Sequence, residues 1–163
     1  MSLIDAEGII ILPHLMGRRT PRANPIAKGA TYGLTPKHTR HHLYRALLEG
    51  IAFGFREEFK GVRSNVKKVV IAGGGANSSL WRQIISDVLN VELEYSVNGS
   101  ASMGAAYLTG YALGLFKDFT EIKRNWLSLK DSIVPNIENA QLYDKLFAQY
   151  VEFDKILDGI NSC

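Results

Sequence analysis

The chain has 163 residues, 46% hydrophobic and 21% charged, with a formal net charge of +3. That is enough for one domain with a real core, and too balanced for a disordered chain. No apolar run approaches the roughly eighteen residues of a membrane span, no signal peptide is recognisable, and the single cysteine, Cys163, excludes an intrachain disulfide, as suits a cytoplasmic protein.

Met1-Ser2-Leu3 reads as a leader added in cloning, with the body of the protein over residues 4–163. Gly8 to Leu12 is a short apolar strand closed by Pro13. His14 to Thr35 follows with little periodicity, punctuated by Pro21, Pro25, Gly29 and Gly33, and reads as an irregular segment ordered against the domain. Arg18, Arg19, Arg22, Lys28, Lys37, Arg40 and Arg45 give residues 1–45 a basic bias against only Asp5 and Glu7. Aromatic interleaving is nearly absent, which argues against nucleic acid; a solvated surface or an anionic small molecule remains.

The spacing predicts a long helix over His38–Lys60. Leu43, Leu47, Ile51, Phe55 and Phe59 recur every four residues as its core face, broadened by Ala46, Leu48 and Ala52, on the order of 8–15 kcal/mol before ordering entropy is subtracted. His38, His41 and His42 cluster at its start, and His38 and His42 are one turn apart, a spacing that can hold zinc. No acid or cysteine accompanies them, so a solvent-facing helix start is the preferred reading and no metal site is assigned.

Val69, Val70 and Ile71 form a β-branched run that leads into Gly73, Gly74 and Gly75, then Ala76, Asn77 and Ser78. Three glycines remove every Cβ from the bend, so a ligand can lie against the main chain. Asn77 or Ser78 can cap the next helix, whose N-terminal dipole favours phosphate or another polar edge. Leu80, Trp81, Ile84, Ile85, Val88 and Leu89 give that helix a clean apolar stripe. The rival reading is a turn that merely lets strand and helix pack closely. A dinucleotide fingerprint has partial support from Gly73-x-Gly75 and from Glu94 at the distance of a ribose-binding acid. Against it, Ser78 replaces the third glycine and about seventy residues precede the turn.

Val91 to Val97 alternates as a half-buried strand, with Val91, Leu93, Tyr95 and Val97 on one face. A helix over Ala101–Phe116 carries small residues at Ser102, Ala106, Gly110 and Gly114, a flat face for packing or for a pivot. After a polar connection around Pro135, a helix over Asn139–Leu157 has a narrow stripe (Leu142, Leu146, Tyr150, Phe153) and is expected to dock on the outside. The order predicts an α/β layered domain. Asp87, on the polar side of its helix, and Glu49 are the acids best placed in structured segments, and neither has a partner that the sequence names. No Ser–His–Asp order, carboxylate pair or Walker loop is present, so no catalytic residue is assigned.

Four segments, in order, carry a family resemblance. Leu12 to Pro21, with Asn24 to Gly29 and Gly33 to Thr35, resembles a loop of the FGGY carbohydrate kinases. His38 to Ala52 is similar to that family's C-terminal signature helix. Gly73 to Ser78, with Trp81-Arg82-Gln83, resembles its adenosine motif. Ser102 to Ala106 resembles the hinge helix joining its two lobes. The xylulose kinases are nearest, then the gluconate kinases. The resemblance implies an α/β fold, part of an actin-like ATPase (ribonuclease H-like) lobe with a mixed sheet flanked by helices. It implies ATP and Mg²⁺ in a cleft, and a sugar hydroxyl, of xylulose or a related ketose, attacking the γ-phosphate. Gly73, Gly74, Gly75, Ala76, Asn77 and Ser78 are then the nucleotide-binding residues. In that family the general-base Asp, the first phosphate loop and most sugar contacts belong to the N-terminal lobe, and the second phosphate loop to the start of the C-terminal lobe. None is found here, so the chain reads as a fragment comprising the later two-thirds of the C-terminal lobe. It is expected to be inactive alone, to bind nucleotide weakly or undetectably because the phosphate contacts are absent, and to self-associate as a homo-oligomer without nucleic-acid or membrane partners. The alternative is a stand-alone nucleotide-binding or oligomerising module. Arg18 stands where this family usually carries Glu, and Thr31 where a bulky apolar residue is usual; both bear on the sugar rather than the fold.

Overall fold

The computed structural model describes residues 4–61, 66–118 and 120–161. The chain divides into two compact units, one within Met1–Asn65, Ile84–Asn90 and Pro135–Cys163, the other within Val66–Gln83 and Val91–Val134.

In the first unit, a 3-10 turn (Ile4–Gly8) precedes β1 (Ile10–Leu12), which pairs antiparallel with β2 (Ala30–Tyr32), Ile11 opposite Thr31. β2 lies inside the stretch expected to be irregular; three residues are too few to show a period. Helix α1 (Arg40–Phe59) starts at Thr39, whose backbone N–H donates to His42 Nδ1 at 3.0 Å. This is a capping box with histidine in the place of Glu or Gln.

The core face of α1 is only partly the predicted one, with Ala46 and Ala52 buried as expected. Arg45, Ala46, Glu49, Gly50, Ala52, Phe53 and Glu57 are buried, whereas Leu43 and Phe55 are 37% and 38% exposed. The polar members of the buried face neutralise one another. Arg45 Nε donates to Glu49 Oε1 at 2.6 Å and Arg45 Nη2 to the Tyr143 hydroxyl at 2.6 Å, which in turn donates to Glu49 at 2.8 Å. Glu49 therefore has partners, Arg45 one turn back on the same helix and Tyr143 from far away in sequence. Burial and the Glu49 carboxylate push the Tyr143 hydroxyl well above its ordinary pKa, so it stays a donor. Gly50 lets α1 lie against β1, because a Cβ there would collide with the Ile11 carbonyl oxygen.

Helix α2 (Ser79–Leu89) has its last six residues in this unit. Ile84, Ile85 and Val88 are buried as its stripe predicts, and so is Asp87, at 1% exposure. Asp87 is not on a polar surface: it accepts the Asn136 N–H and the Asn139 side-chain amide, both at 2.8 Å. That fastens the start of α4 (Ile137–Asn161), where Asn136 Oδ1 also accepts the Asn139 N–H at 3.1 Å. Nor does α4 dock on the outside. Tyr143 and Tyr150 are fully buried, and Phe53 of α1 meets Tyr143, Phe147 and Tyr150 at ring-centre distances of 6.0, 5.8 and 5.3 Å. Leu146 and Tyr150 of the expected stripe are buried, and Ala140, Tyr143, Phe147 and Asp154, outside it, widen the inner face.

In the second unit, β3 (Lys68–Ala72) pairs parallel with β4 (Glu92–Ser96), and β5 (Leu129–Ile133) pairs antiparallel on the far side of β4. The sheet is therefore mixed. The β4–β5 register slips at Glu94/Tyr95, a bulge that breaks the predicted alternation. Leu93 and Ser96 are buried while Val97 is 50% exposed. Helix α3 (Ala101–Ala112) stops short of Phe116 because Gly114 adopts φ +75°, and the Leu115 N–H returns to the Gly110 carbonyl at 2.9 Å. Of the small residues on α3, Gly110 is buried and faces the Phe116 ring, which stacks on Tyr107 at 4.5 Å. A single π-helical turn (Ile122–Trp126) leads to β5, and neither was anticipated.

Candidate functional site

β3 ends at Ala72, and Gly73 takes φ +93°, a conformation that L side chains rarely adopt. Gly74–Asn77 then forms one 3-10 turn, with the Ala76 N–H on the Gly73 carbonyl at 3.0 Å and the Ser78 N–H on the Gly75 carbonyl at 3.2 Å. Ser78 caps α2, its Oγ accepting the Trp81 N–H at 3.2 Å. A Cβ built on Gly73 or Gly74 meets nothing within 4 Å, and one on Gly75 would meet Trp81 Nε1 at 3.4 Å. The packing explanation therefore does not account for Gly73 and Gly74: the bend is bare and nothing fills it.

Gly73 opens onto a groove of about 260 Å³ lying wholly within this unit. Its base is the carboxyl ends of the two parallel strands, Ala72 and Gly73 after β3, Gly99 and Ser100 after β4. The first turn of α3 adds Met103 and Gly104, and Ile122 and Leu127 from the π-helical turn supply an apolar wall. Gly99 is required there, since a Cβ would come within 2.7 Å of Ala72 Cβ and 3.0 Å of Ser96 Oγ. Asn98 holds the wall in place: its Nδ2 donates to the Trp126 carbonyl at 2.7 Å and its Oδ1 accepts the Ser128 N–H at 2.8 Å.

Of the six predicted residues, Gly73 lines the groove. Gly74, Gly75, Asn77 and Ser78 are exposed beside it, and Ala76 is buried, so only its main chain can meet a ligand. Met103 and Gly104 fell in a segment that the sequence linked to a hinge, not to a ligand wall. Ile122 and Leu127 had no sequence signal at all. Behind the turn, Arg82 of α2 donates from Nη1 to the Ala76 carbonyl at 2.5 Å, and its guanidinium lies 4.6 Å from the centre of the Tyr95 ring. The Tyr95 hydroxyl donates to Asn77 Oδ1. Glu94 does not serve as a ribose acid; it accepts from Lys68 at 2.9 Å, which also pairs with Glu92.

A wider groove of about 460 Å³ in the first unit, beside Tyr32, Phe153 and Ile156, offers mostly apolar side chains and no strand-end turn. Among the described residues no group of three or more His, Cys, Asp or Glu could hold a metal ion. His38 and His42 are engaged in turn and cap, with Nδ1 accepting from the Thr35 N–H at 2.9 Å and from the Thr39 N–H at 3.0 Å respectively.

The loop that carries Arg18 is pinned rather than open. Arg18, buried, reaches Asp154 and Asp158 of α4 at 2.5 Å each, His14 Nε2 meets Asp154 at 3.0 Å, and Asn24 donates to Asp158 at 2.9 Å. The hydrogen bond from Arg18 is the chief cause holding the Asp158 carboxyl below its ordinary pKa.

The second unit is thus an α/β layer whose groove lies outside the carboxyl ends of parallel strands, the usual ligand position in such sheets. The profile of the FGGY family of carbohydrate kinases, C-terminal domain, matches residues 2–113, and the chain belongs to that family. It is 32% identical over 153 residues to a xylulose kinase of Staphylococcus epidermidis, covering 91% of this chain and 31% of that protein. To a glycerol kinase of Oceanobacillus iheyensis it is 33% identical over 144 residues, 84% of this chain and 29% of that one. The solved structure of ligand-bound xylulose kinase from Lactobacillus acidophilus superposes with a TM-score of 0.82 at 29% identity, over 95% of this chain and 32% of that chain. The chain spans about a third of the length of the relatives it matches. The fold is accordingly the actin-like ATPase type of these sugar kinases, as the ordered motifs implied.

Proposed function

We propose that the chain forms the nucleotide side of the cleft of an ATP-dependent carbohydrate kinase, with residues 4–163 the C-terminal-lobe portion of a longer cytoplasmic protein. The observation that carries this reading is the vacant Gly73–Gly74 main chain at the end of β3, opening onto a groove with apolar walls. Adenine has flat apolar faces and a polar edge. Met103, Ile122 and Leu127 suit the faces, and exposed main chain at Gly73 and Gly99 suits the edge. Gly74, Gly75, Asn77 and Ser78 continue the same exposed surface, with Ala76 contributing main chain only.

The reaction is an in-line attack of a sugar hydroxyl on the γ-phosphorus of ATP: a new O–P bond forms as the bond to the bridging oxygen of departing ADP breaks, and a base takes the hydroxyl proton. No carboxylate lines the groove, so the base is assigned to another part of the protein. Among the described residues no group of three or more His, Cys, Asp or Glu could hold a metal ion, and Mg²⁺ enters this proposal with the nucleotide's phosphates. Xylulose or a related ketose is the proposed acceptor, from the resemblance in the Leu12–Thr35 loop and the xylulose kinase matches. Among the described residues no helix is long and apolar enough to cross a membrane. Exposed Leu15 and Met16, at 79% and 92%, support self-association, which light scattering reads directly.

Two measurements test the proposal. Millimolar ADP is expected to shift the amide resonances of Gly73, Gly74 and Gly99, and their silence would remove the nucleotide assignment. A coupled assay with xylulose and ATP is expected to show no turnover by this chain; robust turnover would overturn the assignment of the base to another part of the protein.

A further inference from the structure

We infer that Arg82 is a positioning residue for nucleotide binding: it holds the glycine turn in its open shape from behind, through a stacked pair with Tyr95. The inference rests on the nucleotide reading above and adds how the bare turn keeps one conformation. Three consecutive glycines have more conformational freedom to lose than any other tripeptide, and a binding surface made of main chain is useful only when it is already ordered. The turn's own bonds are few. A four-residue 3-10 turn has poor hydrogen-bond geometry, and a Cβ on Gly73 or Gly74 would find no neighbour within 4 Å, so no packing steadies those residues.

Arg82 supplies what the turn lacks. It sits on the first turns of α2, is 9% exposed, and donates from Nη1 to the Ala76 carbonyl at 2.5 Å. Its guanidinium carbon lies over the Tyr95 ring of β4, 4.6 Å from the ring centre, and the Tyr95 hydroxyl donates to Asn77 Oδ1. Two consecutive turn residues, Ala76 and Asn77, are therefore gripped by side chains from two different elements. Among the described residues no carboxylate is within ion-pair distance of Arg82, and its buried Nε has no hydrogen-bond partner. A cation buried on a carbonyl and a ring, with a donor left unpaired, is a cost that structure alone does not require. It is the kind of exception that a functional site retains.

The experiment uses the whole chain with three substitutions: Arg82→Met, Arg82→Lys and Tyr95→Phe. Amide hydrogen exchange of Ala76 and Ser78 is measured without ligand, and ADP titration is followed at Gly73, Gly74 and Gly99. Arg82→Met is expected to lower protection at the turn about tenfold and to weaken the ADP response in parallel. Arg82→Lys is expected to rescue part of both, because it restores a donor but not the planar stack. Tyr95→Phe removes one hydroxyl and is expected to give a smaller loss confined to Asn77 and its neighbours; it stays informative should the Arg82 variants not fold. Unchanged exchange at the turn in the folded variants overturns the bracing role, whatever ADP does. Loosened exchange combined with no ADP response in the unsubstituted chain overturns the nucleotide reading instead, and with it the purpose assigned to the brace. A uniform loss of protection across both units, without a local change at the turn, also overturns the inference.

Discussion

Gly50 and Gly74 are both bare, for opposite reasons. At Gly50 there is no room: α1 presses on β1, and a single methyl would strike the Ile11 carbonyl. At Gly74 there is nothing but room, with no atom within 4 Å of a Cβ. The surroundings follow the same division. Around Gly50 the first unit satisfies its buried charges internally, through Arg45–Glu49–Tyr143 and Arg18–Asp154–Asp158. Around Gly74 the second unit offers exposed main chain and an apolar wall to something outside itself. A crowded glycine reports packing, whereas a vacant one reports a surface kept free.

The largest expected effect comes from breaking the closed side. Arg18→Glu installs the acid that the family loop usually carries and sets a third carboxylate against Asp154 and Asp158, so the urea midpoint should fall by the equivalent of about 4–5 kcal/mol or more. Arg18→Met should cost about 3 kcal/mol, since His14 and Arg22 still face Asp154. A midpoint unchanged in Arg18→Glu would show that the cluster is not structural. The same pair has a pH signature. The folded Asp158 carboxyl is depressed, mainly by Arg18, so the unfolded chain binds more protons there. Its stabilisation is present above the ordinary carboxylate pKa and is lost as pH falls through the folded value. Arg18→Met should therefore flatten the fall in stability below about pH 4. Gly50→Ala comes next, at about 3 kcal/mol, because the obstacle is backbone and cannot rotate away.

What the sequence revealed divides along the same line. The glycine turn, the apolar stripe of α2 and the α/β order were legible, because they depend on neighbours a few residues apart. The inner face of α1 was misread in part: Ala46 and Ala52 are buried as expected, but Leu43 and Phe55 keep the four-residue period and are exposed, while Arg45, Glu49 and Glu57 are buried with partners on α4 or in the Arg18 loop. Arg45 and Glu49 are a local i,i+4 pair, but no local pattern announces Tyr143 or Arg22. Tyr143 and Asp154 hid the breadth of the α4 inner face for the same reason. In the groove, Gly73 was visible as chemistry, while Ile122 and Leu127 arrive on a π-helical turn that has no sequence period.

Asp87→Ala tests a contact that was missed entirely. It strips two hydrogen bonds from the start of α4, each 2.8 Å long and made to a carboxylate 1% exposed. A loss of about 2 kcal/mol is expected, with exchange quickening first at Asn136 and Asn139. If those amides exchange unchanged, Asp87 does not fasten α4, and that helix is held by the aromatic core and the Arg45 and Arg18 networks.

Gly74→Ala has the smallest expected effect on stability and separates the two kinds of glycine most cleanly. Gly74 does not take a positive φ, and the added methyl meets open space, so the folded state loses nothing. The unfolded chain becomes less free, and stability should hold or rise by about 0.4–1 kcal/mol. If the surface is bare for a nucleotide, the same methyl stands where ligand atoms should rest, and the ADP-induced shifts at Gly73 and Gly99 should weaken several-fold while the urea midpoint does not fall. A fall in the midpoint would return Gly74 to the packing class of Gly50. An intact ADP response in a stable variant would move the contact surface away from Gly74 and leave Gly73 and Gly99 to carry it.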